Sequence, residues 1–252
     1  MPRIKQAGFT LIELSIVLVI IGLIVGGVMA GKTLIQQAEI RAAASQLQQI
    51  ETAYQTFRLK YNCIIGDCPN ATDFFGMNYV VVSSGCPPSG GAGNGNGNGD
   101  GFIDESSGDT SDGSWRCEPD QASKSLQLAN LLPTSITTSC STNSGHFKGI
   151  NDSCAYFYKD DIYSESTPVF NNAITWAKES QNHWWLNTPA LSSVEARLID
   201  EKIDDGKPDK GKFRGLDAAD GLTYPMISGS CSVSGVYNNN ENPSCRSLYY
   251  LK

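Results

Sequence analysis

Residues 9–31 read FTLIELSIVLVIIGLIVGGVMAG, 23 positions with a single charge, and the fold follows from what such a stretch can do. As a helix rising about 1.5 Å per residue it is roughly 34 Å long, enough to cross a hydrocarbon core of about 30 Å. Core helices of soluble proteins are rarely so long and so apolar on every side. A secretory signal peptide would share the basic residues ahead of the run, Arg3 and Lys5. Yet the run is longer than an ordinary apolar signal core, and no Ala-x-Ala-like cleavage site follows it. The stretch therefore reads as a membrane anchor.

Downstream the helical pattern continues but changes character. Residues 32–62, KTLIQQAEIRAAASQLQQIETAYQTFRLKYN, hold neither Pro nor Gly. Apolar side chains recur at Ile40, Ala43, Leu47, Ile50, Tyr54, Phe57 and Tyr61, alternating steps of three and four, while Arg41, Gln48, Glu51, Gln55 and Arg58 take other faces. That spacing makes one apolar stripe along a helix. One unbroken helix over residues 9–61 would be roughly 80 Å long. Its first part suits lipid all round, and its second has a single face to lay on a globular head.

Glu13 interrupts the apolar run. A carboxylate at such a depth costs on the order of 3 kcal/mol against insertion, so it calls for a partner. No basic residue lies within the run. A cut just before Phe9 would create one, because the new ammonium group would stand four residues from Glu13, within reach on the same helix or on a neighbour. The bland alternative is a Glu close enough to the interface to snorkel.

Residues 5–14, KQAGFTLIEL, resemble the processing site of type IV prepilins and of the pseudopilins of type II secretion. The resemblance implies a short basic leader, residues 1–8, cut after Gly8 by a membrane-embedded prepilin peptidase. The new N-terminal Phe9 would be N-methylated, and Glu13 would pair with a neighbouring subunit's N-terminus during filament assembly. It covers about the first 60 residues. In keeping with it, Arg3 and Lys5 hold the leader in the cytoplasm by the positive-inside rule, so the rest of the chain is exported. Gly22 with Gly26, and Gly27 with Gly31, are small-xxx-small pairs that let helix backbones approach closely. The helix lacks the proline found in many type IV pilins, and the stretch around Gly27 is where local melting is expected.

Export gives the cysteines a meaning. Cys63, Cys68, Cys86, Cys117, Cys140, Cys154, Cys231 and Cys245 all follow the anchor, an even number that reads as up to four disulfides in an oxidising compartment. Zinc competes weakly, since there is no CxxC and His146 and His183 stand far apart. Of the many connectivities, sequential pairing is the expectation: Cys63 with Cys68, Cys86 with Cys117, Cys140 with Cys154, Cys231 with Cys245. The last would resemble the C-terminal disulfide loop of many type IV pilins.

Beyond Cys63 the composition turns to Gly, Asn, Ser and Asp. Short β-prone runs occur at residues 78–83, 155–158 and 247–251, and two helices are predicted. One, over 120–132, is stopped by Pro133. The other, over 192–205, opens on the capping box Ser192 and Glu195 and ends at Gly206. The prediction is an α+β fold that is pilin-like. A long N-terminal helix, with a membrane half (9–31) and an amphipathic half (32–61), packs on an antiparallel sheet head over 62–252.

The head contains GAGNGNGNGDGFIDE at residues 91–105, within a Gly/Asn-rich loop over 91–109. Setting Asn96, Asn98 and Asp100 at the first, third and fifth positions of an EF-hand-like loop puts Gly101 at the sixth, the Phe102 carbonyl at the seventh and Asp104 at the ninth. The pattern implies weak calcium binding, with Ser107 where the bidentate Glu would stand. A flexible Gly/Asn tip is the alternative. The acidic segment 200–209 reads as a solvated helix end and turn, with calcium binding there the alternative that the resemblance to pseudopilins implies. Lys207, Lys210, Lys212 and Arg214 read as a solvated loop, and no nucleic-acid partner is expected.

The whole chain has 252 residues, 40% of them hydrophobic, with a net charge of −7. Global disorder is excluded by the apolar fraction, and the acidic balance gives no support for a phosphate-binding body. No GxSxG, HExxH or P-loop lysine occurs, so an enzyme is not expected. The expected function is a structural subunit of a type IV pilus-like filament, or fimbrium. The partners are further copies of the chain in a helical filament, prepilin peptidase, the pilus or secretion assembly machinery and, before assembly, inner-membrane lipid. The location is the bacterial inner membrane, single-pass with the head exported, and then a periplasmic or extracellular filament. A type II secretion pseudopilin or minor tip pilin is the first alternative, and a membrane-anchored extracytoplasmic module that never polymerises the second.

Overall fold

The computed structural model describes residues 10–76, 96–103, 118–132, 147–160, 171–178, 189–217 and 230–251. Helix α1 spans Leu11–Tyr61 without interruption. It is continuous through Gly26 and Gly27 in the single chain. The chain divides into two compact units, Met1–Arg41 and Ala42–Lys252.

In the first unit every residue from Thr10 to Ala30 is exposed, and a Cβ added at Gly22, Gly26, Gly27 or Gly31 would meet nothing within 4 Å. This is the one helix among the described residues long and apolar enough to cross a membrane.

The second unit is α+β. From Ala43 onward the predicted stripe is buried: Ala43, Leu47, Ile50, Tyr54 and Phe57 are core residues, joined by Ala44 and Ala53, while Tyr61 is half-buried. Phe57 is fully enclosed and stacks at 6.1 Å on Phe75 of the short helix α2 (Ala71–Phe75). Burying a side chain of that size contributes roughly 1.5–3 kcal/mol.

A six-stranded antiparallel sheet lies beside this helical stretch. Strands β1 (Phe147–Lys148), β2 (Ser153–Asp160) and β3 (Asn171–Lys178) run in order, and β3 pairs with β8 (Pro243–Tyr250). β4 (Leu191–Ser192) and β5 (Phe213–Asp217) also pair with β8. Tyr249 is registered with both Ile174 and Phe213, and Cys245 with both Leu191 and Asp217, so β8 is paired along both edges. A small hairpin, β6 (Ser232–Val233) and β7 (Val236–Tyr237), precedes it. The sheet is joined to α1 by polar contacts as well as by burial. Tyr249 donates its hydroxyl to Glu51 at 2.7 Å, Gln46 donates to the Lys148 carbonyl at 2.6 Å, and Lys212 forms an ion pair with Glu51.

Helix α3 occupies Glu118–Leu128, earlier and shorter than predicted. Pro133 does not stop it. Asn130 does, at φ 53°, with Leu131 N–H closing back on the Leu126 carbonyl, because Asn tolerates the left-handed conformation that ends a helix. Helix α4 spans Ser193–Ile203. Its capping box is formed as predicted: the Ser192 hydroxyl accepts the Glu195 N–H, and the Glu195 carboxylate accepts the Ser192 N–H at 2.8 Å.

Two of the expected disulfides are present, Cys63–Cys68 and Cys231–Cys245. Cys154 is disulfide-bonded as well, while Cys86, Cys117 and Cys140 lie outside the described residues. So does the β-prone run at 78–83. The runs at 155–158 and 247–251 fall in β2 and β8, whereas β3 and β5 carried no signal strong enough to be predicted.

Candidate functional site

The processing segment is reached from its helix. Gly8 and Phe9 lie outside the described residues, which begin at Thr10, the residue before α1. Glu13 is not an isolated carboxylate there. It folds back to accept the Thr10 backbone N–H and the Thr10 hydroxyl, both at 2.8 Å, while its own N–H donates to the Thr10 Oγ1 at 3.3 Å. This is a capping box, in which a Thr and a Glu three residues on satisfy each other's unpaired N–H groups at a helix start. The Thr10-x-x-Glu13 spacing was in the sequence to be read, and it gives Glu13 a partner besides any new N-terminus. The same residue thus begins the helix and places an acid five positions from Gly8, where cleavage is expected.

The second region is the Gly/Asn loop. Gly97 N–H donates to the Cys68 carbonyl at 3.0 Å, and a Cβ on Gly97 would sit 2.3 Å from the Asp67 Cα, so only glycine fits. Asn98 N–H donates to the Glu118 carboxylate at 3.1 Å, and the N–H groups of Gly99 and Gly101 both donate to Asp67. Ile103 N–H donates to the Asn172 side chain, which in turn donates to the Gly101 carbonyl at 3.1 Å. Asp67 is buried, and burial pushes its carboxyl up to about 6 although those N–H groups pull the other way.

The predicted calcium ligands are thus spoken for in part. The Asn96 oxygen accepts the Thr72 N–H at 2.9 Å, at the start of α2. Asn98 and Asp100 are exposed and face each other, Asn98 Nδ2 donating to Asp100 Oδ2 at 3.1 Å. Their other oxygens accept backbone N–H groups two residues on, from Asp100 at 2.8 Å and Phe102 at 2.9 Å. Asp104 lies outside the described residues. Asp67, Glu118 and Asn172, which organise this loop, left no local mark in the sequence, since each acts across 20 residues or more.

A third group corrects the reading of segment 200–209 as solvated at Asp200, while Glu201, Lys202, Asp204, Asp205, Lys207 and Asp209 are exposed as expected. Asp200 is fully buried and accepts the Tyr237 hydroxyl at 2.8 Å and the Gly206 N–H at 3.2 Å. Carboxylate oxygens of Asp200, Asp204 and Asp205 all lie within 4.8 Å of one another. Burial, and then the hydrogen bond it makes to Asp204, raise Asp200 to about 8, so it carries a proton at neutral pH. Burial pushes Asp204 up too, but the hydrogen bond from Asp200 and the N–H groups of Lys212, Phe213 and Asp205 hold it below the usual range. Lys212 and Arg214 are likewise not a free loop: Lys212 pairs with Glu51, and Arg214 lies 4.9 Å over the Tyr250 ring.

Set against known proteins, residues 3–29 match the prokaryotic N-terminal methylation motif, the prepilin-type cleavage and methylation segment of type IV pilins and pseudopilins. The chain is pilin-like in that segment, and its exposed apolar helix fits anchoring in an inner membrane. No curated protein and no solved structure matches it.

Proposed function

We propose that the chain is a structural, non-enzymatic subunit of a type IV pilus-like filament, cut after Gly8 by a prepilin peptidase, stored in the inner membrane and assembled through α1. The observation that supports this best is the pairing of two facts. Residues 3–29 match the methylation motif, and from Thr10 to Ala30 the helix carrying that motif is apolar, wholly exposed and charged only at Glu13. An apolar helix with no cover has two uses, lipid and the crowded core of a filament. The capping box sharpens the test. Glu13→Gln retains a side chain that can cap Thr10 but loses the charge, whereas Glu13→Ala loses both. Electron microscopy of sheared surface filaments should find none with either variant. Normal filaments with Glu13→Gln would mean that Glu13 serves only as a cap. Mass spectrometry of the mature protein should find Phe9 as the N-terminus, and an intact Met1 would remove the processing step.

Weak calcium binding at the loop holding Asn98, Asp100 and Asp104 is a separate part of the proposal, supported by the spacing of those oxygens. A ligand that binds only the native state raises its stability, so millimolar calcium should raise the melting temperature. A melting temperature that a chelator leaves unmoved rejects it.

A further inference from the structure

We propose that Asn98 is a self-modifying site, at which the folded head converts its own asparagine to aspartate and isoaspartate. The reaction is the attack of a backbone nitrogen, here that of Gly99, on the side-chain Cγ of the preceding Asn. Hydrogen bonds engage the nucleophile, the oxygen of the electrophile and the leaving group.

The nucleophile is the Gly99 nitrogen, and its N–H donates to the buried carboxylate of Asp67, a base already in contact with the proton that must leave. Its electrophile is the Asn98 Cγ, whose oxygen accepts the Asp100 N–H at 2.8 Å, a donor placed to stabilise negative charge as it develops on that oxygen. The leaving group is Asn98 Nδ2, which donates to Asp100 Oδ2 at 3.1 Å and belongs to an exposed side chain, so water can supply the proton it leaves with. Gly99 adds no side chain to hinder ring closure and holds φ +77°, a conformation that L side chains rarely adopt. Asn98 and Gly99 are both exposed, so water reaches the product.

The step balances without an oxidant or a cofactor. Asp67 takes the proton from the Gly99 nitrogen as the N–Cγ bond forms. The Cγ–Nδ2 bond then breaks and Nδ2 leaves as ammonia, with the proton that Asp67 took up returned to it through water. The resulting five-membered imide is opened by water. Attack at Cγ restores the main chain and gives aspartate, while attack at the Asn98 main-chain carbonyl gives isoaspartate. The net change is one amide and one water to one carboxylate and one ammonium ion, which adds a negative charge beside Asp100.

The chain carries its own control. Asn96–Gly97 repeats the same two residues two positions earlier, but the Gly97 N–H donates to a carbonyl oxygen, which cannot take up its proton.

The test is peptide mapping by mass spectrometry of the purified full chain, aged in neutral buffer made with ¹⁸O-labelled water and then denatured and digested. The expected result is labelled aspartate and isoaspartate at position 98 well ahead of position 96, with that preference abolished when the chain is aged in denaturant. An Asp67→Asn variant, whose folding is checked by circular dichroism, should convert Asn98 roughly a hundredfold more slowly, within the range that a positioned base contributes. Because Asp67 is buried, the folded and denatured wild-type arms decide the matter if that variant does not fold. Conversion at position 98 that is no faster in the folded chain than in denaturant, or that matches position 96 in the folded chain, overturns the proposal.

Discussion

Helix α1 holds two sequences that make the same element for opposite surroundings. Residues 11–30 are apolar on every side and are exposed on every side, whereas from Ala43 to Phe57 one face is apolar and that face is buried. Backbone hydrogen bonding is the same in both, so the helix itself does not record which solvent each half meets. The distribution of side chains around it does. Where apolar residues repeat at three and four, the partner is the chain's own sheet; where they fill every position, the partner is lipid or another helix.

Core substitutions should break this comparison most sharply. Phe57→Ala empties a fully enclosed position and should cost about 3–5 kcal/mol in denaturant unfolding of the full chain held in detergent. Ile20→Ala, in the exposed half, should stay within about 0.5 kcal/mol. Equal losses would mean that the two halves are not distinct. Next comes the C-terminal staple. Replacing Cys231 and Cys245 together by Ser opens a loop with a sequence separation of 14, and should cost about 3 kcal/mol while leaving insertion of the anchor unchanged. Membrane fractionation and unfolding by urea check the two halves of that statement.

Titration gives a smaller, graded effect confined to the head. Asp67 and Asp200 have carboxyls raised above their ordinary value of 3.8, to about 6 and about 8. The native state therefore binds protons that the unfolded chain has lost. Their contribution to stability is fully present below about pH 4 and falls as pH rises, to about 6 for Asp67 and to about 8 for Asp200. Asp204 acts in the opposite sense, its contribution being lost only as pH falls through its lowered value. Between pH 5 and 8 the raised pair dominates, so the melting temperature should fall across that range. Asp200→Asn, which keeps a donor toward Asp204, should flatten the upper part of the curve; an unchanged slope would contradict the buried proton. Smallest is Thr10→Ala, which removes a cap and should loosen the first turn by about 1 kcal/mol, read as faster amide exchange there and nowhere in the head.

The two halves of α1 and both ends of α4 were legible in the sequence because each rests on residues a few positions apart. A three-four repeat, a Ser-x-x-Glu cap and a run of Leu, Ile and Val need no knowledge of the rest of the chain. The loop at Asn98 was legible as a list of oxygens, but not as a structure, since Asp67, Glu118 and Asn172 reach it from remote parts of the chain. Asp200 misled for a similar reason. A charged residue at a helix end is usually solvated, and only Tyr237, 37 positions away, shows that this one is enclosed. Strand β5 was hidden by the charges at its start, because Lys212 just before it and Arg214 within it set their cationic groups 5.0 and 4.9 Å from the ring centroids of Tyr249 and Tyr250.

Order in time follows from the place of β8. It is paired on both edges, yet β3, β4 and β5 all precede it along the chain. As the chain is made, the earlier strands have to wait for residues 243–250 before the sheet can close, and the long-range pairings that result are the slow kind. Cys63 and Cys68, five apart, can join while the chain is still emerging; Cys231 must wait for Cys245. For that interval the half-made sheet has open edges, and that is the stage at which it is most exposed to misassembly.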